Sequence, residues 1–432
     1  MKKEFFKYVS RNVAGMLGIS AYIFADTFFI SVAGGTNGIT VLNLVLPLFG
    51  LIFAIGMMVA VGAATSFAIK KAQQDDQVDG YFTHSILWQL ILSLPFILLG
   101  IISPESWLIW MGGDHQIVEI GIPYVRIILL GSPFFMVNNC FTSFIRNDNG
   151  PTLAMTASLC SSLFNIVFDY VFMFPMGLGL TGAALATIVS PVLSMIICSK
   201  HFKNKNCSIR FRKCRPSISL IINQGKLGVS AFVGEISSAV ITTVFNTLLL
   251  MISGNIGVAA YGITANLAIV ANTLLNGVAQ GMQPLLSRSY GQRKYQEVRE
   301  LMILGFIVTL LLEGIIVSVA WIGTDQLVAV FNSEKNQILA ELAYEALRLY
   351  VLGYLVSGIN MVLITYFASI GNAVCASIAS VSRGLISVVV CAIVMASVWG
   401  LNGIWLSFLA AEVITFMIIL LISQKNRKEA AA

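Results

Sequence analysis

Asn165 and Asp169 are the side chains best placed for chemistry, because they interrupt an apolar stretch long enough to enter a bilayer. Four residues separate them, so a helix would place both on one face, and Ser158, Ser161 and Ser162 extend that face as a polar stripe. A carboxylate at mid-membrane depth costs about 2.5–3.5 kcal/mol on insertion scales. Binding of a transported ion or proton would offset this cost. The stretch therefore predicts the ion-coupling site of a transporter.

The composition excludes a soluble globular fold. Hydrophobic residues make up 57% of the 432 positions and charged residues 11%, whereas globular domains carry about 25% charged residues. The apolar runs are ~20 residues long, which is the length of a membrane-spanning helix. We therefore predict an all-α polytopic membrane protein. The net charge of +6 does not indicate nucleic-acid binding, since the basic residues lie in loops beside the spans.

Twelve membrane-spanning helices are predicted, at 13–33, 40–69, 84–102, 120–145, 152–174, 180–199, 226–252, 257–286, 301–322, 343–368, 373–397 and 402–423. Basic residues then collect on one side, at Lys2, Lys3, Lys7, Arg11, Lys70, Lys71, Arg146, the loop 200–226, Arg288, Arg293, Lys294, Arg299, Arg383, Lys425, Arg427 and Lys428. The other side has Lys335 among the acidic residues Glu105, Asp114, Glu119, Asp325 and Glu334. The positive-inside rule predicts a protein of the cytoplasmic membrane with both termini in the cytoplasm.

The two halves of the chain resemble each other at an offset of about 220 residues. The matching positions are Gly35, Gly38 and Gly62 with Gly254, Gly257 and Gly281, the segments 177–182 and 399–403, and Arg126 and Gly131 with Arg348 and Gly353. Each half holds an even number of spans, so the repeat is parallel. We predict two six-helix lobes related by a parallel pseudo-two-fold repeat, at 1–200 and 226–432, joined by a basic cytoplasmic linker at 201–225. Rocking of the lobes would give alternating access.

The polar candidates of the first half have no polar counterparts in the second half. At offsets of 219–221 residues, Asp26 aligns with Phe245, Asn165 with Ile386, Asp169 with Val390 and Thr187 with Phe408. A structural role common to both lobes does not predict this difference. Ion coupling is therefore predicted in the N-terminal lobe.

The pattern N-x3-D followed by GLGLTGAALAT, at Asn165, Asp169 and 177–187, resembles the multidrug and toxic compound extrusion family. Further matches are Asp26 in ADTFFI, Tyr124 in PYVRIILLGSP and the segment GMQPLLSRSYGQRK at 281–294. The resemblance covers essentially the whole chain. It implies an exporter of cationic or amphipathic drugs that is driven by inward flow of H⁺ or Na⁺, and no other cofactor.

The same resemblance implies that the coupling site comprises Asp26, Asn165, Asp169 and Thr187, with Tyr124 close by. Two carboxylates, an amide oxygen and a hydroxyl are hard ligands, so the first four residues would be the metal ligands if Na⁺ is the coupling ion. Two neighbouring buried carboxylates would equally serve to carry a proton. The sequence leaves both ions open.

In the C-terminal half, Glu235 matches an acidic position of many relatives and is a candidate to attract cations or carry a second proton. Asn360, Gln280 and Met282 are candidates for the substrate cleft. The predicted tenth span has Asn360 but no carboxylate, which again favours coupling in the N-terminal lobe.

Glu313 and Glu412 also lie inside predicted spans. Neither matches a family motif, so we expect each to pair with a neighbouring polar helix. Arg126 and Arg348, at equivalent positions of the repeat, are possible partners.

Other classes of function fit less well. A flippase for lipids or lipid-linked saccharides is the alternative, although such proteins usually present a basic cavity and the charge within these spans is mostly acidic. The three histidines lack metal-ligand spacing and no phosphate-binding loop is present, so neither an enzyme nor direct ATP drive is expected.

Cys207 and Cys214 have the wrong spacing for a zinc pair and are expected to be reduced structural thiols. The expected partners are small organic cations and the bilayer, and the protein is expected to be a monomer.

Overall fold

The computed structural model describes residues 1–205, 207–331 and 336–431, and over these residues the chain is helical without a strand. Glu334 and Lys335, which the topology prediction used, lie outside the described residues. The same holds for the side chains of Lys425, Arg427 and Lys428. The helices are α1 (Lys2–Ala72), α2 (Tyr81–Ile102), α3 (Glu105–Trp110), α4 (His115–Leu130), α5 (Ser132–Asn147), α6 (Pro151–Met173), α7 (Gly179–Cys198), α8 (Ile218–Gly291), α9 (Tyr295–Ile322), α10 (Thr324–Phe331), α11 (Gln337–Tyr350), α12 (Tyr354–Ser369), α13 (Ala373–Val381) and α14 (Ser387–Ala431). Short 3₁₀ or π turns lie at Asp76–Gly80, Ser199–Lys203, Val351–Gly353 and Ser382–Ile386.

These helices give twelve membrane spans over the described residues. Nine segments are long and apolar enough to cross a membrane, and α4 with α5, bent by 41°, makes a tenth. Two of the nine, with 74 and 52 residues, are far longer than the ~20 residues that one crossing needs. Gly254 divides the first of them and Gly400 the second, each with a left-handed φ. The prediction of an all-α polytopic membrane protein with twelve spans is confirmed.

The breaks recur at equivalent positions of the two halves. Gly35 ends the first span with φ 55° and ψ −147°, and Gly254 does the same with φ 64° and ψ −157°. Gly179 and Gly400, at the second matched pair of segments, have φ values of 52° and 58°. Residues that carry a Cβ atom rarely adopt this backbone conformation, so glycine is required at each break. The sequence repeat is therefore a repeat of backbone structure.

The chain packs into two compact units. The N unit comprises Ser10–Glu235, and the C unit comprises Ile236–Ala432 together with Met1–Val9. Met1–Val9 belongs to the C unit, where Glu4 forms a 2.8 Å ion pair with Arg288. Phe5 of the same segment is fully buried. The first part of α8 belongs to the N unit, where a Cβ at Gly228 would lie 1.8 Å from the carbonyl oxygen of Met58. The boundaries predicted from the repeat, at 200 and 226, stay predictions.

Arg383 was counted with the cytoplasmic basic residues, although the predicted span 373–397 contains it. It sits in the π turn Ser382–Ile386, ten residues after the start of a continuous helical segment, or ~15 Å along its axis. Only 15% of its side chain is exposed. Arg383 must therefore be removed from the cytoplasmic basic set and counted as a buried cation of the C unit.

Substitution of Gly254 by alanine is expected to lower the apparent melting temperature of the detergent-purified protein. A residue with a Cβ atom in this backbone conformation costs about 1–3 kcal/mol. A steric clash would not contribute, because nothing lies within 4 Å of the added atom. Gly262→Ala is the matched control, since Gly262 is a helical residue of the same α8 with equally open space. Equal melting temperatures for the two variants would contradict the requirement for glycine at the break.

Candidate functional site

Four helices of the N unit supply the predicted coupling residues. Asp26 lies in the first span of α1, Tyr124 in α4, Asn165 and Asp169 in α6, and Thr187 in α7. All five side chains are buried, and Asp169 has no exposed surface. The i, i+4 spacing in α6 places Asn165 and Asp169 on the face that is turned into the unit, as the sequence predicted.

The structure brings these residues together. Asn165 donates a 3.4 Å hydrogen bond from Nδ2 to the hydroxyl of Thr187. The carboxyl groups of Asp26 and Asp169 interact electrostatically with each other, and both act on the hydroxyl of Tyr124. Two like charges this close in hydrocarbon repel each other strongly. The geometry therefore favours a state in which a cation or a proton lies between them.

Tyr22 is a member of this group that the sequence analysis missed. It precedes Asp26 by four residues in α1, and the charges of Asp26 and Asp169 act on its hydroxyl. The i, i+4 spacing from an intramembrane acid was the available signal. Tyrosine was overlooked because it is common in spans and carries no charge.

Several buried oxygens of the site lack a hydrogen-bond donor. Among the described residues, no donor reaches Oδ1 of Asp26, either carboxylate oxygen of Asp169, or Oδ1 of Asn165, apart from a proton that the two carboxyl groups would share. A buried carboxylate without a partner costs several kcal/mol. These oxygens fit a hard cation such as Na⁺, and the carboxylates fit a proton equally well.

A cavity of about 100 Å³ lies beside Asn165 and Thr187 in the N unit. Many of the residues that line it carry hydroxyl or amide groups, among them Tyr22 and the predicted stripe of Ser158, Ser161 and Ser162. A polar cavity of this size holds several water molecules, each needing about 10–15 Å³. The polar stripe therefore lines space in which a hydrated cation or proton could approach Asn165.

A tight turn between α6 and α7 sets the distance from Asn165 to Thr187. Gly177 and Gly179 in this turn have positive φ values of 66° and 52°. At Gly182, a Cβ would lie 2.8 Å from the carbonyl carbon of Phe172 in α6. The absence of a side chain at Gly182 thus allows the two helices to approach closely enough for Thr187 to accept the hydrogen bond of Asn165.

The remaining predicted residues lie elsewhere. Glu235 and Gln280 are half-buried in α8. Met282 is fully buried, and its sulfur would lie 3.0 Å from a Cβ at Gly305. Asn360 is fully buried in the C unit. Gln280, Met282 and Asn360 belong to the C unit, whereas the Asp26–Asp169 group belongs to the N unit. The assignment of these residues and of Glu235 to a substrate cleft stays a prediction.

Asn360 instead belongs to a buried polar network of the C unit. It donates a 2.8 Å hydrogen bond to Oε2 of Glu412, whose Oε1 lies 2.9 Å from Nε of Arg383. Arg383 also donates a 2.7 Å hydrogen bond to Ser357, which lies on the same helix as Asn360. The expected pairing of Glu412 with a neighbouring helix is confirmed, and Arg383 is the partner.

Glu313 likewise pairs with a neighbouring helix, since it accepts a 2.6 Å hydrogen bond from the backbone N–H of Gly358 in α12. Within the described part of the chain, neither suggested arginine pairs with an intramembrane acid: Arg126 is exposed, and Arg348 stacks on Tyr344, 4.2 Å from the ring centre. Arg383 was missed because no spacing rule relates it to Glu412, 29 residues further along the chain.

The π turn corrects the alignment of the two halves. Ile386 and Val390, aligned with Asn165 and Asp169, are 59% and 53% exposed, whereas the next residues, Ser387 and Cys391, are buried. A π turn carries one extra residue and so rotates the residues that follow it. By burial, Ser387 and Cys391 are the counterparts. The C unit still has no carboxylate there, although the counterpart of Asn165 is a polar serine.

The sequence model of the MatE family matches residues 13–171 and 231–393. The chain belongs to the MatE family. It is 25% identical to the multidrug export protein MepA of Staphylococcus saprophyticus over 405 residues, which is 93% of this chain and 88% of the relative. The MepA protein of Staphylococcus aureus is 24% identical over 408 residues, with the same shares covered.

Solved structures of the family share the fold. A MATE protein crystallised in complex with MaL6 superposes with a TM-score of 0.91 at 22% identity, over 98% of this chain and 96% of that chain. A MOP superfamily transporter from Pyrococcus furiosus superposes with a TM-score of 0.90 at 22% identity, over 98% and 95% of the two chains. That protein is described as having a binding pocket of reverse polarity that suggests a different function. The chain is thus a multi-pass membrane protein with the MATE fold.

Substitution of Gly182 by alanine is expected to separate α7 from α6 and weaken the contact between Asn165 and Thr187. The added Cβ meets backbone, which cannot yield as a flexible side chain would. We expect a lower melting temperature and slower transport than in Gly50→Ala, a control at a helical glycine of the N unit with nothing within 4 Å. Wild-type behaviour of Gly182→Ala would show that the close approach is unnecessary.

Substitution of Arg383 by methionine is expected to destabilise the C unit by about 3–5 kcal/mol, because Glu412 would remain buried without its cation. The double variant Arg383→Met/Glu412→Met is expected to recover much of this loss, since both charges are then absent. Melting temperatures of the single and double variants measure the coupling, and Arg126→Met, an exposed arginine, is the control. Additive losses would mean that the pair does not act as a unit.

Proposed function

We propose that this protein is a secondary active antiporter that exports cationic or amphipathic organic compounds across the cytoplasmic membrane. Inward movement of H⁺ or Na⁺ through the Asp26–Asp169 group drives the export. The observation that carries this proposal is the set of buried acceptor oxygens on Asp26, Asn165 and Asp169 that no donor in the described part of the chain satisfies. The multidrug export proteins among the relatives support the class of substrate.

The coupling follows from the charge of the site. Without a bound cation, two carboxylates repel each other in a low-dielectric environment, and arrival of a cation removes that repulsion. A ligand shifts a conformational equilibrium only by its difference in affinity for the two states. Cation binding therefore favours one access state of the transporter, and by reciprocity it weakens the binding of an exported organic cation.

Each residue of the site has a distinct role in this mechanism. Asp26 and Asp169 hold the charge, Asn165 and Thr187 add neutral oxygen ligands or position the carboxylates, and Tyr124 with Tyr22 supplies hydroxyl groups beside them. For Na⁺, all four of Asp26, Asn165, Asp169 and Thr187 would be ligands. For H⁺, only the carboxylates would change state.

The topology belongs to the same proposal. Basic residues precede the first span and follow the second, sixth and eighth spans, which supports a cytoplasmic location for those loops and for both termini. Organic cations then enter from the cytoplasm, and the coupling ion enters from outside. No covalent step and no bound cofactor is needed, and the proposed functional form is a monomer.

The test is efflux of an organic cation from proteoliposomes with separately imposed gradients. Asp169→Asn and Asp26→Asn are expected to reduce gradient-driven efflux at least about fivefold, the lower range of coupling energies between two ligands. Glu119→Gln is the control, because Glu119 is an exposed acid of the same unit. Asn165→Leu should reduce Na⁺-driven efflux strongly and H⁺-driven efflux little, which separates the two ions.

Three outcomes would contradict the proposal. The first is that neither gradient drives efflux, and the second is that the aspartate variants transport as the wild type does. The third is that efflux requires lipid-linked saccharides in place of organic cations. The last outcome would favour the alternative function, a flippase for lipids or lipid-linked saccharides.

A further inference from the structure

Three metal-ligating side chains meet where the turn between α5 and α6 lies against the segment that follows α7. They are Asp148, His201 and Cys207, and one ligand atom of each lies within 4.8 Å of those of the other two. Nε2 of His201 is 2.9 Å from Oδ2 of Asp148. Asp148 and His201 are buried, and Cys207 is half-buried. All three belong to the N unit, and none of them is one of the predicted coupling residues.

Backbone structure holds the three side chains in place. Asp148 is fixed by its own N–H, which donates a 2.8 Å hydrogen bond to the carbonyl of Phe144 at the end of α5. His201 lies in the 3₁₀ turn Ser199–Lys203 that extends α7. The N–H of Cys207 donates to the carbonyl of Asn204, 3.0 Å away. The cluster is thus preorganised by turns.

We propose that Asp148, His201 and Cys207 form a Zn²⁺ site. A carboxylate, an imidazole and a thiolate are the three ligand types that zinc binds in proteins, and three protein ligands leave the fourth tetrahedral position for water. Bonds of about 2.0–2.3 Å place tetrahedral ligand atoms roughly 3.3–3.8 Å apart. The three ligand atoms lie within 4.8 Å of one another, and Nε2 of His201 and Oδ2 of Asp148 are 2.9 Å apart. Metal binding would therefore move this nitrogen and oxygen slightly apart and adjust the distances to the sulfur.

The sulfur ligand of Cys207 determines which metal ions the site prefers. Cys207 supplies a sulfur ligand, half-buried beside the other two side chains. Its S–H bond breaks and the proton passes to solvent as the metal–sulfur bond forms. Mg²⁺ and Ca²⁺ prefer oxygen ligands, whereas thiolate favours Zn²⁺ or Cu⁺. Since the other two ligands are a nitrogen and an oxygen, the full set fits Zn²⁺ best.

Lys71 competes with the metal. Its ammonium group forms an ion pair with Oδ1 of Asp148, while the N–H of Ser208 donates a 2.9 Å hydrogen bond to Oδ2. These donors and His201 satisfy the carboxylate in the metal-free protein. A bound Zn²⁺ would take over part of this role, and repulsion between the two cations would weaken the ion pair of Lys71. Removal of the lysine charge should therefore strengthen metal binding.

The proposed site would fasten the linker between the two halves of the chain. The contacts that already hold 207–217 to the N unit include the 2.7 Å ion pair of Arg212 with Asp79 and the 3.1 Å hydrogen bond of the Ser217 N–H to His84. The site was missed in the sequence because Asp148 lies 53 residues before His201. No short metal-binding motif spans that distance.

The test uses the purified full-length protein after treatment with a chelator. Titration with Co²⁺ is expected to give one equivalent of binding and a thiolate-to-cobalt charge-transfer absorption, which Zn²⁺ then displaces. Cys207→Ser should abolish the absorption, and His201→Gln should weaken binding at least about tenfold. Matched controls are Cys214→Ser, the other thiol of the linker, and His115→Gln, an exposed histidine. Lys71→Met should bind more tightly than the wild type.

Alkylation of the wild-type protein gives a readout that needs no variant. Zn²⁺ should protect Cys207 from a thiol reagent while Cys214 reacts at an unchanged rate, as mass spectrometry of the two linker peptides would show. Binding without charge-transfer absorption, equal absorption in Cys207→Ser, or equal reactivity of Cys207 with and without Zn²⁺ would overturn the proposal. The proposal would also be overturned if the wild-type protein bound neither Co²⁺ nor Zn²⁺.

Discussion

The burial of Asp26 and Asp169 within membrane spans is the constraint on which the N unit depends. Two carboxylates in hydrocarbon are tolerated only if the protein encloses them and an external positive charge reaches them. The helices α1, α4, α6 and α7 provide the enclosure, and the small residues Gly182, Ala183 and Ala186 let α7 approach closely. Hydroxyl and amide groups line a cavity beside the site and offer a cation a path that is not hydrocarbon.

The C unit neutralises a buried acid with a cation of its own. Glu412 forms an ion pair with Arg383, and Asn360 donates a further hydrogen bond to Glu412. The positions equivalent to Asp26 and Thr187 are Phe245 and Phe408, both buried in an aromatic core around Tyr350, with Phe408 stacked on that ring at 4.6 Å. One unit therefore carries its own counter-cation, whereas the Asp26–Asp169 group of the other has none among the described residues. This difference is the physical basis for the proposal that the coupling ion binds in the N unit.

The fold and the site bear on function in different ways. Structures at about 22% identity share the fold over nearly the whole chain, and one of them is described as having a pocket that suggests a different function. The architecture alone therefore shows the fold and leaves the function to be argued from the site. The cation-binding proposal depends instead on particular side chains, above all on the buried oxygens of Asp26, Asn165 and Asp169.

The sequence by itself determined the membrane class, the twelve spans and the repeat, because hydropathy and glycine breaks are local properties of the chain. It also indicated the coupling residues, since Asn165 and Asp169 are related by helical spacing and Asp26 and Thr187 by the family pattern. Only the tertiary structure decided which distant residues meet: Arg383 with Glu412, and Asp148 with His201 and Cys207. It also moved the counterparts of Asn165 and Asp169 by one position, because the π turn at Ser382–Ile386 rotates the helix that follows. Pairings across helices depend on packing geometry, which no local spacing encodes.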